Sequence, residues 1–79
     1  MKTTTGEKEW SNRAKRFIKA ELKRADVTYE ELAKRLKKHG LAETEASVAN
    51  KLSRGTFSAV FLLACLAALE IESVQLGDL

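Results

Sequence analysis

Thr28-Tyr29-Glu30-Glu31-Leu32-Ala33-Lys34-Arg35-Leu36 and Thr44-Glu45-Ala46-Ser47-Val48-Ala49-Asn50-Lys51-Leu52-Ser53-Arg54-Gly55 are two short segments, each opening on a threonine and each apolar at helical spacing. Thr28 and Glu31 stand at the separation of a capping box, in which each side chain satisfies a free amide at the helix start. Val27 and Leu32 occupy the two positions of a hydrophobic staple. Leu32, Ala33, Leu36 and Tyr29 then face inward, while Lys34, Arg35, Lys37, Lys38 and His39 face outward until Gly40 stops the helix. In the second segment Thr44 is the cap, Val48 and Leu52 face the core, and Glu45 and Ala49 lie at its margins. Steps of 100° per residue put Ala46, Ser47, Asn50, Ser53 and Arg54 on the opposite side. Gly55 falls where a left-handed cap closes a helix.

Upstream, residues 1–9 lack periodicity and are expected to form a disordered tail before a single domain over residues 10–79. A first helix follows, capped by Ser11 and ending near Asp26. Trp10, Ala14, Phe17, Ile18, Leu22 and Ala25 share one face of it, with Trp10 as a lid on the core. Downstream, Phe57 and Ser58 repeat the staple and cap, with Leu62 as staple partner. Every residue from Ala59 to Leu69 is apolar, which predicts a helix buried on nearly all sides. Ile71, Val74, Leu76 and Leu79 are positioned to add a final turn. With no proline, no strand-like alternation and no internal repeat, the expected fold is all-α, a bundle of four to five helices.

The composition narrows the classes of function. Seventy-nine residues with 44 % hydrophobic and 32 % charged side chains read as one globular domain. One cysteine excludes an intrachain disulfide, and one cysteine with one histidine cannot build a structural zinc site. No apolar run reaches the roughly 18 residues of a membrane span, and the start is polar rather than signal-like, so a cytoplasmic protein is expected. No paired carboxylates, nucleophile with base, or glycine-rich phosphate loop is present, so neither an enzyme nor a cofactor or small-molecule substrate is expected. The net charge of +3 hides an asymmetry: residues 1–40 carry twelve Lys/Arg against six Asp/Glu, and residues 41–79 carry two against five. A basic half points to an anionic partner, nucleic acid above all; the alternative is an ordinary solvated surface.

Two capped helices in succession have the shape of a helix-turn-helix, whose second helix can enter a DNA major groove. Leu32-Ala33-Lys34-Arg35-Leu36, then Thr44 with Val48, then Arg54-Gly55 and the helix ending Leu66-Ala67-Ala68-Leu69 resemble the lambda-repressor-like helix-turn-helix domains. The resemblance, over about residues 15–72, implies sequence-specific binding of double-stranded DNA, usually as a dimer, and a role in transcription regulation. It implies base contacts from Glu45, Ala46, Ser47 and Asn50 in a recognition helix over residues 44–54. It implies backbone contacts from Thr28, Tyr29, Lys51, Arg54, Thr56 and Ser58. The segment Lys37–Glu43 is about five residues longer than the turn usual in that family, which predicts that the first of its helices runs one further turn before Gly40.

The residues themselves leave alternatives. Asn50 can read adenine and Arg54 can read guanine or hold a phosphate, or both can simply be solvated. Glu45 can support the helix dipole, accept from cytosine, or repel DNA. Lys34, Arg35, Lys37, Lys38 and His39 form the densest positive cluster, suited to phosphate or to solvent. Cys65, among leucines and alanines, reads as an inert core residue. The two acids Glu43 and Glu45 at the reading end motivate a second function, a protein-interaction module on the same fold without DNA binding. Val74, Leu76 and Leu79 are the candidate surface for a homodimer or protein partner.

Overall fold

The computed structural model describes the backbone of residues 2–79 and the side chains of residues 6–77 and of Leu79. Its elements are four α-helices, α1 (Lys2–Ala25), α2 (Tyr29–Lys38), α3 (Glu45–Arg54) and α4 (Ala59–Ala68), and a closing 3-10 turn over Leu76–Asp78. No strand occurs among the described residues, as the sequence pattern requires.

Local chemistry sets the helix ends. Thr28 Oγ1 accepts from the Glu31 amide at 3.1 Å and Ser58 Oγ from the Phe61 amide at 3.0 Å. Thr44 and Ser47 form a complete reciprocal box, each side chain accepting from the other's backbone N–H. At Thr28 only half of the expected box forms, because the Glu31 carboxylate turns along the helix to Arg35, 3.0 Å away. A guanidinium one turn on adds an opposite charge to the hydrogen bond, which a neutral cap amide lacks.

Three helices stop in the same way. Val27 N–H donates to Leu22 O, Leu41 N–H to Leu36 O, and Ile71 N–H to Leu66 O, each bond 2.9 Å. The residue before each donor, Asp26, Gly40 or Glu70, has positive φ. These are Schellman closures, which recapture free carbonyls and fold an apolar residue back onto the last turn. Val27 thereby enters the core, and Leu41 packs against it.

The core gathers Ile18 and Leu22 of α1, Val27, then Leu32, Ala33 and Leu36 of α2, Val48 and Leu52 of α3, and Phe61, Cys65 and Ala68 of α4. Helix α3 packs against both α1 and α2, and α2 against α4. The chain turns by 117° between α3 and α4. At that corner Gly55 is buried with φ of 73°, and a Cβ there would lie 2.6 Å from the Ser11 carbonyl oxygen of α1.

Three expectations change. Helix α1 begins at Lys2, within the segment read as a tail, and passes through Ser11 rather than starting there; Met1 lies outside the described residues. Extending an existing helix fixes one residue per added bond, and no proline opposes it. Trp10 is 54 % exposed instead of covering the core, with the Arg13 guanidinium 4.9 Å from its ring centroid. The Phe57 ring meets Phe61, centroids 5.3 Å apart, and lines one groove with Leu62. Finally α4 is not enclosed: Val60 and Leu63 are 65 % and 64 % exposed.

Two consequences are measurable by urea denaturation. Gly55→Ala should cost about 3 kcal/mol, since strain at positive φ adds to a backbone clash, whereas Gly40→Ala, with open space around it, should cost about 1 kcal/mol. Glu70→Gly should raise stability by about 0.5–1 kcal/mol, because glycine relieves a left-handed residue at the end of α4.

Candidate functional site

With Val48 and Leu52 buried and Ser47, Ala49 and Lys51 half-buried, α3 presents Ala46, Asn50, Ser53 and Arg54 to solvent as one stripe. On a helical wheel these four span about 100°, the width of one face. Glu45 is exposed at the N-terminal end, where its charge complements the helix dipole.

Glu43, the second acid at this end, does not face outward. Its side chain is 9 % exposed, and its two oxygens accept from Ser47 Oγ at 2.6 Å and from Lys51 Nζ. Lys51 Nζ also lies 5.0 Å from the centroid of the Phe61 ring. Burial pushes the Glu43 carboxyl up, but the hydrogen bonds from Lys51 and Ser47 and the lysine charge outweigh it and hold the carboxyl below its ordinary value. This arrangement joins the α2–α3 connection, α3 and α4 through one charged pair.

Several residues assigned to ligand contact are therefore engaged within the molecule. The Ser47 hydroxyl bonds Glu43, the Thr44 carbonyl and the Thr44 amide. Lys51 is held by Glu43. Arg35 pairs with Glu31 and donates from Nη1 to the Ala68 carbonyl at 3.3 Å, tying α2 to the end of α4. Thr28 and Ser58 use their hydroxyls as caps, and Tyr29 is half-buried against the core. Thr56 is exposed on the α3–α4 corner. Arg54, Lys34, Lys37 and Lys38 are exposed.

The three lysines of α2 line a shallow groove against the start of α3, together with Glu30, Glu43 and Glu45. A second groove brings Lys19 and Lys23 of α1 beside Thr28 and Tyr29 at the start of α2. The sequence reading did not single out that pair. Their four-residue spacing flanking Leu22, which the turn at Asp26 folds toward α2, is the signal that points to them. Lys15 of α1 donates to the Ser53 carbonyl at 3.2 Å, a cation at the negative end of α3. Arg13, Arg16 and Arg24 line a different cleft, between α1 and residues 71–79.

Cys65 is fully buried, and burial, with the nearby Glu43 charge, pushes its thiol up to about 12. Among the described residues no cluster of His, Cys, Asp or Glu is arranged to hold a metal ion.

Comparison with known proteins places the chain in one family. The model of the Domain of unknown function (DUF6471) matches residues 10–74, most of the chain, and the chain belongs to that family. No curated protein and no solved structure matches it.

The Glu43–Lys51 pair makes a pH-dependent contribution. Glu43 is more acidic in the fold than an ordinary glutamate, so its contribution is present above the ordinary carboxylate range and fades as pH falls through the lowered folded value. Glu43→Gln should cost about 1 kcal/mol at neutral pH, a modest figure because Lys51 is partly solvated. In urea titrations the gap between variant and parent should narrow as pH falls below the ordinary carboxylate range.

Proposed function

We propose that this domain binds double-stranded DNA as a lambda-repressor-like helix-turn-helix, with α3 in the major groove, acting in the cytoplasm on the nucleoid. The observation that carries this reading is the free stripe of α3. Ala46 and Ser53 are small enough for a close approach to base edges. Asn50 has the donor and acceptor that adenine requires, and Arg54 the fork that fits guanine or a phosphate. Lys34, Lys37 and Lys38 stand beside the N-terminal end of α3, where phosphates flank a groove-bound helix.

The main electrostatic objection is reduced. Of the two acids at that end, Glu43 is bonded to Lys51 and leaves Glu45 as the one facing solvent. In this reading Ser47 drops from the base-contact set, and Arg35 and Lys51 from the phosphate set, since their polar groups already serve the fold. The Thr28 hydroxyl is likewise spent on its cap, so Lys19 and Lys23 join Tyr29 as the backbone-gripping group at the start of α2.

A protein-interaction module without DNA binding is the second reading, favoured by exposed Glu45 and by the apolar surface of α4. Fluorescence anisotropy with random duplex DNA at several salt concentrations separates the two. DNA binding should weaken with salt at a log–log slope of about −0.9 per phosphate contact, and absence of binding near about 50 mM salt would refute it. Asn50→Ala should reduce preference among sequences, while Lys37→Ala should weaken all sequences alike.

A further inference from the structure

Helix α4 has one face buried against the core through Phe61, Cys65 and Ala68 and another with nothing on it. The uncovered face carries Ala59, Val60, Leu63 and Ala67, spaced i, i+1, i+4 and i+8, with no charged residue anywhere in the helix. At its N-terminal end a largely apolar groove continues the surface across Ala59 and Leu62 to the exposed ring of Trp10. Isolated apolar residues on a surface are ordinary, but a continuous apolar helix face is the mark of an interaction site.

We propose that this face is where two copies of the chain associate, α4 against α4, antiparallel about a two-fold axis. Charge selects this occupant. At the C-terminal end of α4 the Arg35 guanidinium already answers the Ala68 carbonyl, and the charges left facing solvent there are those of exposed Glu70 and Glu72. An antiparallel second copy brings the positive N-terminal pole of its own α4 to that place, with exposed Arg54 four residues before the Ser58 cap. Two-fold symmetry makes the same match at both ends. Along the face the alanines Ala59 and Ala67 stand at the ends and Val60 and Leu63 between them, so a two-fold axis near Leu63 sets the large side chains together at the centre and small ones at both ends.

The area sets the strength. Val60, Leu63, the alanines and the Trp10 edge offer on the order of 400–500 Å² per copy, against about 800 Å² per partner in a standard interface. The association is therefore weak and concentration-dependent. It does not depend on the DNA reading. It also moves the dimer surface away from the C-terminal segment, where Val74 and Leu79 are half-buried against α1 and only Leu76 stands clear.

Sedimentation equilibrium of the full chain from about 10 μM to about 1 mM tests it. A monomer–dimer equilibrium should appear, Leu63→Glu should raise its Kd by at least about tenfold, and Glu72→Lys should weaken it by about threefold. Leu76→Glu, equally exposed but off this face, should leave it unchanged. Helical circular dichroism should match the parent in all three variants, since each residue is at the surface. A monomer throughout the range, or a dimer indifferent to Leu63→Glu, would overturn the proposal.

Discussion

The approach of Gly55 to the Ser11 carbonyl is the contact on which the arrangement depends. It places the C-terminal end of α3 directly on α1, with no side chain between, and its left-handed backbone opens the corner, residues 55–58, across which the chain turns by 117° into α4. A single position thus fixes how α3 lies on α1 and where α4 departs. Lys15 reinforces the junction from α1 by donating to Ser53, the last carbonyl but one of α3. The opposite end of α3 is held by Glu43, Ser47 and Lys51, with the lysine resting on Phe61. Helix α3 is pinned at both ends, and its middle face is left free.

That division explains why the same helix is both structural and exposed. Val48 and Leu52 belong wholly to the core, while Ala46, Asn50, Ser53 and Arg54 touch solvent. A helix held by its ends can present a rigid stripe to a ligand without losing conformational freedom on binding. The charged groups divide likewise. Arg35, Lys51 and Lys15 bond to carbonyls or carboxylates within the bundle, and Lys34, Lys37, Lys38, Lys19 and Lys23 stay in water around it.

Much of the fold was legible because its signals are local. Thr28, Thr44 and Ser58 announce their helices through bonds spanning three residues, and Gly40 and Gly55 end theirs where expected. The core residues follow from helical spacing in α2 and α3. What the chain does not disclose are bonds that cross between helices. Arg35 and Lys51 look like any surface cation until the fold brings Ala68 and Glu43 within reach. Helix α4 was misread for a different reason. An all-apolar helix has no polar side to mark which face meets solvent, so Val60 and Leu63 look no different from Phe61 and Cys65. The stripe on α3 is legible as a pattern, and Ser47 leaves it through short-range bonds to Thr44 and Glu43 that helical spacing alone does not reveal.

The central claim is that α3 offers a prearranged reading face while the rest of the bundle supports it. The most direct measurement is a titration of isotope-labelled protein with duplex DNA, followed by amide chemical shifts and by the side-chain amide of Asn50. The account predicts shifts concentrated at Ala46, Asn50, Ser53 and Arg54 and at Lys34, Lys37 and Lys38, with Cys65 and its core neighbours unmoved. Shifts confined to Val60 and Leu63 of α4, or none at any DNA concentration, would contradict it.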